Sequence, residues 1–342
     1  MLKYLKELCT LNGVSGKEDE VREYILSHVS GRSDDVVTDA MGNVIVHKKG
    51  KKTPPKKLLL SAHMDEVGLT VTHITSDGYL KFAATGGIDS RVLPGKAVQI
   101  GRSRVLGVIG SKAIHLTKSK DREKAVESDD MYIDIGAITK EEAEKLVAIG
   151  DAAAFDSEYI EFGDGFIKAK AIDDRFGCAV LLALMDTDLP IDCMFAFTVQ
   201  EEVGLRGAQT AAYRTSPDIS LIIEATTAAD LPSVSDNKKV CKLGDGAVVP
   251  FMDRSTIYDR ELFGIITNLA EKNGIPWQTK TYIAGGTESA AIQRSRAGAK
   301  AAAISAPVRN LHSPSCVCKI SDMESVHKLA VLFLSEIIRL VR

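Results

Sequence analysis

Imidazole and carboxylate side chains follow directly after several apolar runs of the sequence, and such runs are typical of buried strands. The residues are His63 with Asp65, Asp173 with Asp174, Glu201 with Glu202, Glu224, and His312. Ligands of open α/β sheets bind beyond the carboxyl ends of the strands, so we expect these side chains to converge. Two imidazoles with three or four carboxylates form a donor set that two neighbouring divalent ions can share. The pattern therefore indicates a metal centre.

Each of these residues also has an ordinary structural explanation. A single histidine after a strand, such as His63, is commonly a loop residue. The pair Asp173–Asp174 can cap a helix, and Glu201–Glu202 can form a charged turn. Five such events at predicted strand ends are harder to explain by folding alone. The six cysteines lie outside the set, which argues against a cysteine-rich structural zinc site.

Apolar periodicity predicts the elements that position these residues. Continuous apolar runs predict strands buried on both faces at 58–62, 194–199, 219–223 and 300–305. Helical patterns follow them, at about 174–185, 204–213, 257–273, 287–294 and 323–341. The alternation predicts an α/β fold with a mostly parallel sheet and helices on both faces.

Two further local patterns predict elements outside that alternation. Residues Ser15 to Glu18 have the spacing of a capping box, which predicts a helix from there to about Ser30. Residues 278–283 predict one more strand.

The segment from 67 to 164 has a different character. Its apolar stretches are short and separated by glycines, and a single helix is predicted at about 140–149. We therefore expect an inserted β-rich domain at 67–164. The α/β domain, which carries the candidate chemistry, would then be formed by residues 1–66 and 165–342.

Composition excludes several classes of function. The chain has 342 residues, 43 lysines and arginines and 46 aspartates and glutamates, hence a net charge of −3. This balance gives no support to nucleic acid or an anionic membrane as a partner. No apolar run approaches the roughly 18 residues of a membrane span. The first residues mix lysines with leucines and lack the apolar core of a signal peptide. We therefore expect a cytoplasmic protein with reduced cysteines.

Four motifs in order resemble one family of enzymes. They are Ser-Ala-His63-Met-Asp65-Glu-Val-Gly, Ala-Ile-Asp173-Asp174-Arg-Phe-Gly, Val-Gln-Glu201-Glu202-Val-Gly-Leu-Arg-Gly-Ala and Val-Arg-Asn-Leu-His312-Ser-Pro. Together they resemble the glutamyl-aminopeptidase and tetrahedral-aminopeptidase family of two-metal exopeptidases. The resemblance extends over nearly the whole chain, and Gly-Gly-Ile-Asp-Ser-Arg-Val-Leu-Pro-Gly at 86–95 resembles the family's inserted domain.

The resemblance implies a ligand set for two divalent ions. Asp173 would bridge them. His63 and Glu224 would complete one site, and Glu202 and His312 would complete the other. Zinc is the first expectation, and cobalt or manganese also suit these ligands.

The resemblance also implies the catalytic roles. Glu201 would be the general base, with a metal-bridging water as the nucleophile. Asp65 would orient His63 through its second ring nitrogen. The peptide bond between Asp173 and Asp174 is expected to be cis. The implied activity is removal of N-terminal residues from short peptides.

Two positions depart from the family pattern. Glu224 stands where many relatives in the broader clan have aspartate. The segment Gly285-Gly-Thr-Glu288-Ser resembles the family's Gly-Gly-Thr-Asp loop but has the longer acid. Since that loop lies near the substrate in relatives, the difference bears on side-chain preference.

The resemblance implies a homo-oligomer, with dimers through the inserted domain that assemble into dodecamers. Two other functions remain open. Some relatives have been catalogued as endoglucanases, so one alternative is a glycoside hydrolase, which the single tryptophan, Trp277, disfavours. The other is a catalytically silent assembly protein, which the complete ligand set disfavours.

Overall fold

A computed structural model describes residues 1–119 and 123–339 of the chain. Within them the helices are α1 (Leu2–Leu8), α2 (Asp19–Val29), α3 (Lys140–Glu144), α4 (Ile172–Met185), α5 (Arg206–Thr215), α6 (Arg260–Lys272), α7 (Ser289–Gln293) and α8 (Ile320–Glu336). Residues 340 and 341 of the predicted last helix lie outside the described residues.

The strands of the same residues form three sheets. They are β1 (Asp35–Thr38), β2 (Val44–Lys48), β3 (Leu58–His63), β4 (Gly68–Ile74), β5 (Leu80–Thr85), β6 (Ala97–Ile100), β7 (Val105–Gly110), β8 (Tyr132–Asp134), β9 (Ala152–Phe155), β10 (Ile160–Phe162), β11 (Phe166–Ala169), β12 (Cys193–Thr198), β13 (Ile219–Thr227), β14 (Ala247–Val248), β15 (Trp277–Gln278), β16 (Lys300–Val308) and β17 (Cys316–Lys319).

The main sheet has eight strands in the order β1-β2-β12-β3-β13-β16-β14-β15. Its four central strands, β12, β3, β13 and β16, are parallel to one another. Every residue of β3 is buried, as expected for a strand covered on both faces. The predicted α/β fold is confirmed.

Alternate residues of the central strands face two separate apolar cores. Leu58 and Leu60 of β3 pack in the larger core with α1, α2, α4, α6 and α8. Leu59 packs on the opposite face with α5 and α7. This period of two follows from strand geometry, in which successive side chains point to opposite faces. The helices therefore cover both faces of the sheet.

A closed six-stranded barrel lies between β3 and α4 in the chain. Its strands follow the order β4-β5-β8-β7-β6-β9, and it has an apolar core of its own. It lies within the segment 67–164 that the sequence analysis assigns to an inserted domain, of which residues 120–122 are outside the described part. In a small sheet of the order β10-β11-β17, two strands that follow the barrel in the chain pair with β17 near the C-terminal end.

Two local predictions are wrong. The segment Ser15–Glu18 is not a capping box, because α2 begins at Asp19 without a side-chain cap. The Ser15 hydroxyl instead donates to Asp65, 2.6 Å away, and the Glu18 carboxylate accepts from the backbone N–H of Gly16. The strand predicted at 278–283 extends only over Trp277–Gln278, because its neighbour β14 offers just two residues for pairing.

Two features bear on the setting of the protein. No helix among the described residues has both the length and the apolar character needed to cross a membrane. All six cysteines are buried and free of disulfide bonds.

Candidate active site

Three parallel strands carry side chains to one edge of the main sheet. His63 is the last residue of β3 and lies beside Thr198, the last residue of β12. Glu201 and Glu202 follow β12 after a left-handed residue, Gln200, whose φ is 55°. Glu224 lies within β13, and all its neighbours on that strand from 219 to 226 are buried. The register of the parallel strands thus brings these side chains to one place.

Asp173 and His312 reach the same edge from outside the central strands. Asp173 lies in the first turn of α4, where its backbone is not helical, and its peptide bond to Asp174 is cis as the resemblance predicts. His312 lies in the loop between β16 and β17 with a left-handed φ of 57°. The structure therefore brings together all five residues that the resemblance implies as ligands.

The Asp173 carboxylate lies between the two imidazoles. Its Oδ1 is 3.2 Å from Nε2 of His63, and its Oδ2 is 3.5 Å from Nε2 of His312. Nε2 of His63 is also 3.5 Å from Oε1 of Glu224. Nε2 of His312 is 3.2 Å from Oε2 of Glu202. Two groups of donor atoms, one around each imidazole, thus share one aspartate.

These spacings fit divalent ions. Nitrogen and oxygen donors at 2.0–2.1 Å from a tetrahedral ion lie about 3.3 Å from one another. The four distances between donor atoms, 3.2–3.5 Å, are of that size. Oε2 of Glu224 is buried and has no hydrogen-bond partner among the described residues, and an ion would supply one. The residues present could therefore hold metal.

A residue that the sequence analysis did not select as a ligand lies next to this set. Asp174 is fully buried, and its carboxylate accepts hydrogen bonds from the backbone N–H groups of His63 and Gly177. One carboxylate oxygen of Asp174 also lies within 4.8 Å of donor atoms of His63 and Glu224. Burial raises its pKa well above the usual range, and the charge of Glu224 adds to the rise. Its hydrogen bonds hold the backbone at the end of β3.

The imidazoles and Asp173 favour each other's charged forms. Burial opposes a charge on His63, but Glu224 and Asp173 outweigh it and raise its pKa well above the usual value. Burial likewise opposes a charge on His312, but the hydrogen bond to Asp173 and the charge of Glu202 raise its pKa to about 9. Burial disfavours ionised Asp173, yet the hydrogen bonds from the two histidines lower its pKa.

The neighbouring glutamates differ in their contacts. Glu202 faces His312, whereas the Glu201 carboxylate makes no hydrogen bond to a described residue. Burial raises the pKa of Glu201 well above its usual range; His63 opposes the shift, and the charges of nearby carboxylates add to it. Burial also raises the pKa of Glu202, to about 8. Glu201 is therefore a partly buried carboxyl with an elevated pKa beside the donor set.

Asp65 holds several parts of the site at once. Its Oδ1 accepts from the backbone N–H of Glu201 at 2.9 Å, and its Oδ2 accepts from that of Glu202 at 3.1 Å. Nδ1 of His63 lies 3.4 Å from Oδ1 of Asp65 and 3.1 Å from its backbone oxygen. Since both neighbours are acceptors, Nδ1 carries the proton of the neutral ring, whose lone pair for an ion is then on Nε2.

The sequence pattern does not indicate that Ser15 contacts the site. For Glu288, the resemblance of its loop places it near the substrate. Ser15 completes the hydrogen bonds of Asp65 from a segment that resembles a helix cap. Glu288 is fully buried, and Thr198 of β12 donates to it at 2.5 Å. The Glu288 side chain thus lies in the interior, next to the end of β12, rather than at the surface. Only the three-dimensional contacts reveal both arrangements.

The fold has counterparts among solved structures. An aminopeptidase from the archaeon Desulfurococcus kamchatkensis is 35% identical, with 99% of this chain and 97% of that chain covered and a TM-score of 0.92. The TET1 peptidase of Pyrococcus horikoshii, which assembles into a tetrahedron or a large octahedral shell, is 37% identical, with coverage of 96% and 97% and a TM-score of 0.85. A Thermotoga maritima protein called an endoglucanase is 36% identical, with coverage of 99% of each chain and a TM-score of 0.82.

These similarities and the site define the class of the protein, which is an aminopeptidase and thus a hydrolase. Residues 42–329 match the family model of the M42 glutamyl aminopeptidases. The chain therefore belongs to the M42 family.

Proposed function

We propose that this protein is a two-metal aminopeptidase that removes N-terminal residues from short peptides. Asp173 would bridge the two ions. His63 and Glu224 would complete one site, and Glu202 and His312 would complete the other. The observation that carries the proposal is the position of Asp173, whose two carboxylate oxygens each face a different imidazole.

Two divalent ions held there supply Lewis acidity, which activates water and polarises the peptide carbonyl. Glu201 is the general base of the proposal. Its carboxylate makes no hydrogen bond to the part of the chain that the structure describes. Its elevated pKa suits a group that takes a proton from water and returns it to the leaving amine. Asp65 holds the backbone of Glu201 and the ring of His63, so that base and ligand keep a fixed relation.

The proposal includes the identity of the ions, the setting and the assembly. Zinc is the first candidate, with cobalt or manganese as substitutes, because imidazole nitrogen and carboxylate oxygen suit all three. Six buried free cysteines fit a reducing compartment such as the cytoplasm. Large exposed apolar side chains on the barrel, among them Leu106 and Ile114, support a homo-oligomer formed through that domain. A dimer that assembles into a dodecamer is the expected form.

The alternative of a glycoside hydrolase lacks a second free acid. That chemistry usually needs two carboxyl groups on either side of the bond. Among the acids of the site, Asp173, Glu202 and Glu224 each face an imidazole. Asp65 and Asp174 accept backbone hydrogen bonds, so the remaining candidate for proton transfer is Glu201. A single free carboxyl suits amide hydrolysis at a metal centre.

A panel of aminoacyl chromogenic substrates and short peptides tests the proposal. The protein should release N-terminal residues, and chelation should abolish the activity until Zn²⁺, Co²⁺ or Mn²⁺ is restored. A blocked N-terminus should strongly reduce cleavage of the same peptide. Hydrolysis of a β-glucan that resists chelation, with no release from any unblocked peptide, would overturn the assignment.

A further inference from the structure

The loop that carries His312 is held by residues of the barrel segment. The carbonyl oxygen of Gly87 lies 2.8 Å from Nδ1 of His312. On the far side of the histidine, the hydroxyl of Ser157 donates to the carbonyl of Pro314 at 2.5 Å. Gly87 follows β5 of the barrel, and Ser157 follows its last strand, β9. Two contacts from one domain thus fix a loop of the other.

The Gly87 contact determines which nitrogen of His312 can bind an ion. A backbone carbonyl can only accept, so Nδ1 of the ring must carry the proton. Nε2 is then free, and it faces the carboxylates of Asp173 and Glu202. His63 obtains the same arrangement from Asp65 within the α/β domain. For His312 the equivalent partner comes from the barrel.

The backbone of His312 needs such support. Its φ of 57° lies in the left-handed region, which a residue with a side chain seldom adopts. The ring of His312 donates to Gly87, and Ser157 binds Pro314 two residues further along the same loop. These contacts hold the loop and keep the ring toward Asp173.

Gly86 brings the Gly87 carbonyl into position. Its φ is +87°, and a Cβ there would lie 2.8 Å from Cγ1 of Val67 and 3.3 Å from Cβ of Glu202. Residue 86 therefore lies between Val67, which precedes the first barrel strand, and Glu202 of the donor set. Only glycine fits there. A Cβ on Gly87 itself would lie 3.5 Å from Nδ1 of His312, an ordinary contact.

We propose that the segment Gly86–Gly87 is a positioning element for the ion bound by His312, so that the barrel completes the active site as well as supporting assembly. The proposal rests on the assignment of His312 as a ligand in the proposed function. It assigns the orientation of one imidazole to a backbone carbonyl of the inserted domain. Outer contacts of this kind commonly change metal affinity by about 10–100-fold.

The variant Gly86→Ala tests the proposal, with one matched control. Gly95→Ala has a similar φ, +77°, but no atom of the described residues lies within 4 Å of its added Cβ. Metal affinity is measured by dialysis of each intact protein against graded chelator with elemental analysis of bound zinc. Steady-state kinetics then separates kcat from KM.

Gly86→Ala should bind the second ion at least about tenfold more weakly, with a fall in kcat at little changed KM. Gly95→Ala should retain wild-type affinity within about threefold. Wild-type affinity in Gly86→Ala would overturn the proposal, as would an equal loss in Gly95→Ala. If Gly86→Ala does not fold, the metal affinity of Ser157→Ala is measured instead. A several-fold loss of affinity supports the proposal, and wild-type affinity overturns it.

The measurement also separates this proposal from the proposed function. A wild-type protein that binds two ions and cleaves no peptide overturns the proposed function. The comparison of metal affinity between wild type and Gly86→Ala still tests the role of Gly86. A wild-type protein that binds no ion overturns both.

Discussion

The α/β domain buries charged side chains at the edge of its sheet, whereas the barrel exposes large apolar side chains on its outer surface. His63, Asp65 and Glu224 are at most 3% exposed. By contrast, Leu106 and Ile114 of the barrel segment are 64% and 68% exposed. A buried charge requires a partner, and an ion supplies one. A large exposed apolar surface favours contact with another protein, so under the proposed function the two regions would serve two kinds of binding.

The largest expected effect concerns the free carboxyl at the sheet edge. Glu201→Gln should reduce kcat by roughly 10²–10⁴-fold, because the amide cannot accept a proton. Both ions should stay bound, since Glu201 is outside the donor set that faces the imidazoles. Elemental analysis alongside kinetics checks this. Loss of both ions from the variant would make Glu201 a ligand instead.

A smaller effect is expected from the residue that holds the donor set together. Asp65→Asn keeps the shape of the side chain but removes the negative charge beside Nδ1 of His63. Metal affinity should fall about 10–100-fold, as measured by competition with a chelator. Ser15→Ala is the matched control, because it removes only one of the hydrogen bonds to Asp65. An equal loss in both variants would mean that the charge of Asp65 is unimportant.

The apolar surface of the barrel should govern assembly without affecting the chemistry. The double variant Leu106→Lys and Val108→Lys changes two exposed side chains on one face of β7. Light scattering should show a smaller particle, with kcat on aminoacyl substrates within a few-fold of wild type. Val331→Lys, an exposed apolar position on α8 of the α/β domain, is the control. A particle of unchanged size in the double variant would exclude this face from the interface.

The smallest effect concerns a buried carboxyl near the site. Burial raises the pKa of Glu18 from 4.5 to about 7. Between these values the folded protein holds a proton that the unfolded chain has released, so stability falls as pH rises from about 4.5 to about 7. The penalty persists at higher pH. Glu18→Gln removes it, while its amide oxygen can still accept from the N–H of Gly16.

The Tm of Glu18→Gln relative to wild type should therefore be higher at pH 8 than at pH 5. A gain of roughly 1–3 kcal/mol in stability at pH 8 is the expected scale. Glu23→Gln, at an exposed position of α2, is the control for the change from a carboxylate to an amide. Equal differences in Tm at both pH values for Glu18→Gln would contradict the prediction.

The sequence predicts the α/β fold because its central strands are continuous apolar runs. Such runs need cover on both faces, which parallel strands flanked by helices provide. Two of the donor residues follow from the same pattern, because the parallel strands β3 and β13 carry His63 and Glu224 to one edge of the sheet. Both could therefore be selected before any contact was known.

Other parts of the site depend on contacts that leave no local mark in the sequence. Ser15 and Glu18 have the spacing of a capping box, but both side chains have other partners. The Ser15 hydroxyl donates to Asp65. The Glu18 carboxylate accepts from the backbone N–H groups of Gly16 and Gln200. A tertiary partner here overrides a local preference. The sequence cannot show that the Gly87 carbonyl contacts His312, because every residue has a backbone carbonyl.

The position of the barrel within the chain also determines the order in which the protein is built. Leu59 of β3 pairs with Met194, and Leu58 pairs with Ile219, so both neighbours of this strand are synthesised long after it. The barrel strands, from Gly68 to Phe155, are continuous in the chain and have a core of their own. On the ribosome, where folding proceeds from the N-terminus, the barrel can close while β3 still lacks its parallel neighbours. The exposed apolar surface of the barrel is thus complete before the sheet edge that carries the donor set exists.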